Sequence, residues 1–231
     1  MLLGEDALLK LNSSHVAVFG LGGVGSWCAE ALARSGIGEI TLVDSDSYSV
    51  SNINRQSCAL SSTVGMMKTS SVKARLLDIN PELIVHTIDG TYCADDRERF
   101  FADYDFVADA IDLVSCKLDL IETCLKRDIP IISSLGTGNK KDASSLEITD
   151  ISKTSGCPFA RIVRKELRAR GIVNLTVVYS KEEASDTFFS EDPPPGRRSV
   201  PGSLVWVTSS AGMLMAQHIV LSLAQGQDRS E

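Results

Sequence analysis

Short apolar runs alternate with stretches of helical periodicity along the first 135 residues of the chain. Runs with the length of buried strands lie at residues 16–19, 40–43, 83–88, 105–111 and 130–134. Before and between them, apolar positions at helical spacing predict helices at residues 1–12, 26–35, 64–79, 95–102 and 117–126. This alternation predicts an α/β fold, a doubly wound, Rossmann-like sheet whose strands are mostly parallel.

The pattern changes after residue 135 and predicts a mixed or antiparallel C-terminal extension. Strand-like segments lie at residues 145–150, 174–179 and 203–208. Cys157-Pro158 begins a basic helix at 159–170. The polar, proline-rich residues 181–198 predict a mobile loop. Small residues and methionines at 209–224 predict a helix that packs tightly on the sheet or on a second subunit.

The composition is that of a soluble globular protein, with 231 residues of which 43% are hydrophobic and 23% charged. The net charge of −7 argues against a general nucleic-acid coat protein, because phosphate binding depends on Lys and Arg. No apolar run approaches the roughly 18 residues of a membrane span, so we expect no membrane partner. The six cysteines are dispersed without a C-x-x-C pair, which disfavours a four-cysteine zinc site and favours free thiols in a reducing cytoplasm.

A glycine-rich turn joins the first predicted strand to the helix that follows it. Gly20, Gly22 and Gly25 fit the spacing G-x-G-x-x-G, and Asp44 ends the next strand about 20 residues further on. Backbone without Cβ atoms approaches a phosphate closely, and the free N–H groups at the helix start point toward its charge. With Asp44 placed to accept hydrogen bonds from ribose hydroxyls, the turn predicts a nucleotide site. The alternative is a turn whose glycines only allow close packing.

The residues that follow favour ATP over a dinucleotide. The turn has an additional glycine, Gly23, and the polar side chains that come later are Asp46, Asn52, Arg55, Gln56, Lys68 and Asp112. They supply two cations for phosphates and an acidic strand end for a hard cation such as Mg²⁺. A nicotinamide-dependent dehydrogenase, which is the alternative, needs neither. Its proton-transfer residue also lacks a candidate, because His15, His86 and His218 fall inside predicted strands or a helix.

Separate motifs occur in a fixed order between residues 16 and 112. They are the glycine turn, Asp44-Ser45-Asp46, Asn52-Ile53-Asn54-Arg55-Gln56, Lys68 and Asp109-Ala110-Ile111-Asp112. In this order they resemble the ThiF/MoeB/HesA adenylating superfamily, whose members are relatives of ubiquitin-activating enzymes. The later segments at 132–140, 146–150 and 157–161 are similar to the tRNA threonylcarbamoyladenosine dehydratase branch of that superfamily. The resemblance therefore covers nearly the whole chain.

The resemblance implies an ATP-dependent dehydratase. ATP adenylates the carboxylate of the threonylcarbamoyl group on an adenosine of the tRNA, and the side-chain nitrogen then closes on the activated carbonyl with release of AMP. It also implies Mg²⁺, a tRNA carrying threonylcarbamoyladenosine as partner, and a cytoplasmic homodimer. The implied domain is a single ThiF-like unit over residues 1–231. Residues 1–135 would bind the nucleotide, and residues 136–231 would bind substrate and form the dimer.

The resemblance further implies roles for individual residues. The implied ATP contacts are Gly20, Gly22, Gly23, Gly25, Asp44, Asp46, Asn52, Arg55, Gln56 and Lys68. Asp44 would bind the ribose, and Arg55 would contact the phosphates together with Asn52. Lys68 would stabilise charge on the phosphate under attack, and Asp112 would hold Mg²⁺. A surface ion-pair network is the alternative for Arg55, Lys68 and Asp112, which form the implied catalytic set.

The sequence departs from the superfamily pattern at two places. Relatives carry an arginine just before the segment that corresponds to Leu2-Leu3-Gly4, and it reaches into the partner subunit's ATP site. The printed sequence has none there, which leaves open a start upstream of Met1 or a catalytically lapsed nucleotide-binding protein. The zinc-binding cysteine pairs of the sulfur-carrier-activating branch are also absent. The absence of these pairs favours the tRNA enzyme over the alternative function, which is adenylation of the C-terminus of a ubiquitin-like sulfur carrier. A sulfur-relay or carrier protein stays a candidate partner.

Cys157 and the basic helix that follows it each have two interpretations. Cys157 precedes a helix N-terminus, a position that lowers a thiol pKa, so it is either a reactive thiol or a structural one. The basic residues within 161–170 form either a tRNA contact or a solvated helix face. Asp109 is expected to support the sheet end rather than to contact metal.

Overall fold

A sheet of seven strands flanked by helices forms the structure, a computed structural model that describes residues 2–185 and 202–225. Its helices are α1 Glu5–Asn12, α2 Gly25–Arg34, α3 Lys68–Ile79, α4 Val114–Lys126, α5 Pro158–Ala169 and α6 Val205–Gln225. Its strands are β1 His15–Phe19, β2 Glu39–Asp44, β3 Ile84–Asp89, β4 Phe106–Asp109, β5 Ile131–Leu135, β6 Leu146–Asp150 and β7 Thr176–Ser180. Short 3-10 helices lie at Val50–Asn52, Ala94–Phe100, Ala143–Ser145 and Ile151–Lys153. From residue 186 onward, the loop predicted at 181–198 lies outside the described residues.

The strands lie in the order β3-β2-β1-β4-β5-β7-β6. Neighbouring strands are parallel from β3 to β7, and β6 pairs with β7 in the antiparallel direction. This confirms the predicted α/β fold, with a mostly parallel sheet and an antiparallel extension. The chain order reverses between β1 and β4, which is where open α/β sheets form a ligand crevice at the carboxyl ends of their strands.

Apolar layers cover both faces of the sheet. Val16 and Val18 of β1 pack in the layer that contains residues of α1, α2, α3 and α6. Ala17 and Phe19 point to the opposite face and pack in the layer formed with α4 and α5. Because both faces of these parallel strands are buried, their sequences are continuous apolar runs rather than alternating ones.

Most predicted elements are confirmed with small shifts at their ends. Helix α2 ends where expected, and Gly36 follows it with φ +90°, the left-handed conformation that terminates many helices. Helix α3 begins at Lys68 rather than at residue 64, because residues 61–65 form turns. Strand β4 ends at Asp109 rather than at residue 111, so the segment that follows it is free to turn into the cleft described below.

The strand predicted at 203–208 is wrong, because helix α6 begins at Val205. The β-branched residues there favour a strand locally, but the segment packs against α2 as a helix. Gly212 allows this close approach, since a Cβ at that position would lie 2.5 Å from the backbone oxygen of Val24. Tertiary packing therefore overrides the local β propensity of this segment.

Helix α6 is long and apolar enough to cross a membrane when judged by length and composition alone. The expectation that no segment approaches that length is therefore wrong. The buried residues of α6 include Ala211, Met215 and Ile219, which pack in the same apolar layer as β1 and α2. Packing within the fold thus accounts for much of the apolar character of this helix.

Candidate nucleotide-binding site

A cleft of about 670 Å³ opens at the carboxyl ends of β1, β2 and β4. Its walls include the glycine turn after β1, the acidic turn after β2, the segment after β4 and the first residue of α3. The sequence-predicted residues that line it are Gly20, Gly22, Gly23, Asp44, Asp46, Asn52, Arg55, Gln56, Lys68 and Asp112. The fold thus gathers side chains from widely separated segments at the crevice expected for this sheet order.

The glycines of the turn differ in what surrounds them. Gly20 has φ +87°, and a Cβ there would lie 2.8 Å from the backbone oxygen of Ala110, so this position requires glycine. Gly22 has no atom within 4 Å of the place where a Cβ would stand, and it lines the cleft. Gly25 does not line the cleft, and its implied role at the nucleotide stays a prediction. A Cβ at Gly25 would lie 1.8 Å from the backbone oxygen of Gly20, so this glycine lets α2 pack on the turn.

Backbone hydrogen bonds fix Asp44 at the end of β2. Its Oδ2 accepts from the backbone nitrogen of Leu21 at 2.6 Å, and its Oδ1 accepts from that of Asp46 at 2.8 Å. Each carboxylate oxygen has a second lone pair. Asp44 is therefore an oriented acceptor on the cleft wall.

Lys68, the first residue of α3, brings a buried cation to the cleft. Its Nζ lies 2.7 Å from Asp46 Oδ2 and 3.5 Å from Asp44 Oδ1. The Lys68 side chain is 7% exposed, whereas that of Asp46 is 65% exposed. The two carboxylates stabilise the ammonium group, and a bound phosphate would compete with the exposed Asp46 for it.

Arg55 supplies the second cation of the cleft. Its Nη1 donates to the backbone oxygen of Ser51 at 2.8 Å and to Asn54 Oδ1 at 2.9 Å. Burial lowers the pKa of Arg55, but the guanidinium group stays protonated at neutral pH. The side chain reaches the glycine turn, because a Cβ at Gly23 would lie 3.2 Å from Arg55 Cγ.

Two amide side chains complete this wall. Asn52 Oδ1 accepts from the backbone nitrogen of Ser49 at 3.1 Å. Gln56 is buried, and its Oε1 has no hydrogen-bond partner within the described structure. A buried acceptor of this kind is commonly paired by an ordered water.

A buried ion pair supports the segment that carries Asp112 to the cleft. Lys117 Nζ lies 2.7 Å from Asp109 Oδ2 and 2.9 Å from Ser133 Oγ, and Ser133 Oγ donates to the same Oδ2 at 2.6 Å. The side chains of Asp109 and Lys117 are fully buried. Burial lowers the pKa of Lys117, an effect that the charge of Asp109 opposes. Asp109 Oδ1 also accepts from the backbone nitrogen of Ile111 at 3.0 Å, which fixes the start of the segment.

Sequence reasoning missed several residues of this region. Lys117 lay in a predicted helix, and only the pairing of β4 with β5 brings Ser133 beside Asp109. The cleft also has lining residues from the C-terminal extension, namely Thr137, Gly138, Ser203 and Thr208. No local motif identifies these residues, because their position depends on long-range packing.

Cys157 and the residues of helix α5 do not line the cleft. Cys157 is buried, and its Sγ accepts from the backbone nitrogen of Ala160, which favours the structural interpretation of this thiol. On α5, the exposed cations are Arg161, Lys165 and Arg168, whose spacing places them on one face of the helix.

The class of protein is defined by comparison with known families. The chain belongs to the ThiF family, whose family model matches residues 1–230. It is 45% identical over 232 residues to the tRNA threonylcarbamoyladenosine dehydratase of Bacillus subtilis, an alignment that covers 96% of this chain and 91% of that protein.

Solved structures resemble this one over the whole chain. The tRNA N6-threonylcarbamoyladenosine dehydratase of Escherichia coli has been solved in complex with AMP and in complex with ATP. The two structures give TM-scores of 0.89 and 0.88 at 34% sequence identity. The alignments cover 99% and 100% of this chain, respectively, and 93% of each solved chain. The resemblance inferred from the motifs is confirmed.

Proposed function

We propose that this protein is an ATP-dependent tRNA threonylcarbamoyladenosine dehydratase. It adenylates the carboxylate of the threonylcarbamoyl group, and cyclisation then releases AMP. The observation that carries the proposal is similarity to such a dehydratase over nearly the full length of both chains. The cleft supports it, because it gathers the charged residues that this chemistry requires, namely Asp44, Asp46, Arg55, Lys68 and Asp112.

The adenosine part of ATP would be held by the glycine turn and Asp44. The open space beside Gly22 lets a phosphate approach the backbone at the start of α2, where N–H groups are available. The spare lone pairs of Asp44 accept hydrogen bonds from the ribose hydroxyls.

Lys68 and Arg55 would stabilise charge during adenylation. The substrate carboxylate attacks the α-phosphate, a P–O bond to the carboxylate forms, and the bond to pyrophosphate breaks. Negative charge builds on the phosphate oxygens, and cations fixed nearby stabilise it without reorganisation. In the second step the nitrogen attacks the activated carbonyl carbon, AMP leaves, and one water is lost overall.

Asp112 is the proposed ligand of Mg²⁺. The cleft offers carboxylate oxygens from Asp112 and from the exposed Asp46, and Mg²⁺ is commonly bound by one or two carboxylates together with substrate phosphates. The donor set therefore fits this ion, which would neutralise phosphate charge when bound. The fixed start of the segment after Asp109 holds Asp112 at the cleft.

The tRNA and a second copy of the chain are the proposed partners. The exposed cations of α5, Arg161, Lys165 and Arg168, offer a surface for tRNA phosphates on an otherwise acidic protein. Helix α6 exposes Trp206 and Met213, which are seven residues apart and so lie on one face of the helix, and we propose this face for the homodimer contact. We further propose that the protein acts in the cytoplasm, where tRNA is its substrate.

Mass analysis of nucleosides tests the function. A tRNA that carries threonylcarbamoyladenosine is incubated with the protein, ATP and Mg²⁺, and the modified nucleoside should lose the mass of one water only when ATP is present. Lys68→Ala should reduce the rate by about 100-fold or more, because a fixed charge at the reacting phosphate is lost. Lys73→Ala is the matched control, since Lys73 lies on the same helix and its Nζ donates to the backbone oxygen of Val85.

The alternative substrate gives a different result in the same assay. If the mass of the nucleoside is unchanged while AMP forms with a ubiquitin-like sulfur carrier, the chain is a carrier-activating enzyme. If ATP binds but no AMP forms with either substrate, the protein is a nucleotide-binding module without this activity.

A further inference from the structure

Two histidines and a glutamate meet on one face of the sheet, away from the nucleotide cleft. His15 and Glu39 are the first residues of β1 and β2 and lie opposite each other in the parallel register. His86 of β3 pairs with Thr41 of β2, which lies two residues beyond Glu39. Since side chains two residues apart on a strand point to the same face, the three side chains lie together. The cleft lies at the other, carboxyl end of β1 and β2.

The ligand atoms of this cluster have the spacing of a metal site. Glu39 Oε1 lies 3.5 Å from His15 Nδ1 and 2.7 Å from His86 Nε2, and one ligand atom from each residue lies within 4.8 Å of the others. Zinc bonds to nitrogen and oxygen of about 2.0–2.2 Å place the ligands of a tetrahedral ion roughly 3.3–3.6 Å apart. The three atoms therefore need only shifts of less than about 1.5 Å to surround one ion.

The surroundings orient His15 and favour a cation. His15 Nε2 lies 2.8 Å from Thr41 Oγ1, so the second ring nitrogen has a hydrogen-bond partner of the kind that orients metal-bound histidines. The ring also makes an edge contact with Tyr104 at 4.9 Å. The carboxylates of Asp103 and Asp105 act on the charge of His15 and add negative potential.

We propose that His15, Glu39 and His86 form a binding site for a divalent transition-metal ion such as Zn²⁺, distinct from the oxygen-lined site for Mg²⁺. Two imidazoles and one carboxylate suit Zn²⁺, Co²⁺ or Ni²⁺ rather than Mg²⁺. Glu39 and His86 are 34% and 52% exposed, so the ion reaches the site from solvent and keeps water in its remaining positions. Binding ties β1, β2 and β3 together and stabilises the folded chain.

Cobalt is the probe that tests this site. The full-length protein is stripped with a chelator and titrated with Co²⁺ in excess Mg²⁺, and bound metal is measured by equilibrium dialysis. Absorption spectra separate this site from the cysteines, because thiolate ligands give intense near-ultraviolet charge-transfer bands and nitrogen or oxygen ligands do not. We expect one equivalent of Co²⁺ without a thiolate band, and a higher thermal unfolding temperature in its presence.

Variants decide whether the cluster is the site. His86→Ala should weaken binding by about 100-fold and Thr41→Val by about 10- to 100-fold, while His218→Ala, which removes the remaining histidine, should leave it unchanged. His86 is half exposed, and Glu39→Gln, which keeps the shape of the side chain, serves as a second variant should His86→Ala lose stability. Equal binding by wild type and both ligand variants, a thiolate band, or no bound Co²⁺ would overturn the proposal. Dehydratase activity is measured separately in excess Mg²⁺, so its outcome does not bear on this test.

Discussion

Replacing Lys117 with methionine tests how much the buried ion pair contributes to the fold. Lys117→Met keeps the length and apolar stem of the side chain but removes the ammonium group, which contacts Asp109 at 2.7 Å and Ser133 at 2.9 Å. Asp109 then keeps only the hydrogen bonds from Ser133 Oγ and the backbone nitrogen of Ile111. A fully buried carboxylate without its cation is strongly unfavourable.

The expected cost follows from this burial. Removing one partner of a buried pair costs about 3–5 kcal/mol, which is a large part of the roughly 5–15 kcal/mol that stabilises a domain. For a chain of this length, each kcal/mol lowers the unfolding temperature by about 2–4 °C. Lys117→Met should therefore unfold about 6–20 °C below the wild type.

Urea unfolding followed by circular dichroism measures this cost, and two further variants interpret it. Lys126→Met lies on the same helix, where the 70% exposed Lys126 pairs with Glu122, and it should cost less than about 1 kcal/mol. Asp109→Asn combined with Lys117→Met removes both charges but keeps an acceptor for the backbone nitrogen of Ile111. It should be more stable than Lys117→Met alone, because no charge is left buried without a partner. The reasoning is refuted if Lys117→Met matches Lys126→Met, or if the double variant is less stable than the single one.

Two smaller predictions concern the glycine turn and one histidine. Gly25→Ala should destabilise the fold by about 3 kcal/mol or more, while Gly22→Ala should change stability by less than about 0.5 kcal/mol. In a calorimetric titration, Gly22→Ala should bind ATP about tenfold more weakly than the wild type, which corresponds to about 1.4 kcal/mol. Equal effects of the two substitutions on stability would contradict the contacts in the turn. Burial against Phe106 lowers the pKa of His218 below its ordinary 6.5, so its contribution to stability is present above pH 6.5 and is lost as the pH falls through the folded-state pKa. Urea unfolding between pH 7.5 and 5.5 should therefore show a shallower loss for His218→Gln than for the wild type, and parallel curves would rule out this role.

The residues of the cleft that were predictable are those carried by local motifs. The glycine turn, Asp44, Arg55 and Lys68 belong to short segments whose spacing along the chain identifies them. The strand–helix alternation gave the parallel sheet, and the sheet determines where the ends of β1, β2 and β4 meet. The motifs and the fold class were therefore sufficient to predict that these residues meet in one cleft.

The residues that were missed depend on register and packing. Lys117 and Ser133 meet only because β4 and β5 pair in one register. His15 and His86 meet for the same reason, across three parallel strands. Helix α6 was mistaken for a strand at its start because β-branched residues favour strands locally, whereas its contact with α2 decides the outcome. Such contacts carry no signal within a short stretch of sequence.

We infer from the contacts around the cleft that the chain works as one functional unit. Thr208 at the start of α6 lies against the glycine turn, since a Cβ at Gly23 would be 3.2 Å from its Oγ1. Asn54 Nδ2 donates to the backbone oxygen of Ser203 at 3.1 Å, which joins the Arg55 segment to the chain just before α6. Residues from both sides of residue 135 therefore position the side chains of the cleft. We infer that the division into a nucleotide-binding half and an extension describes the order of the sequence, and that nucleotide binding depends on both parts.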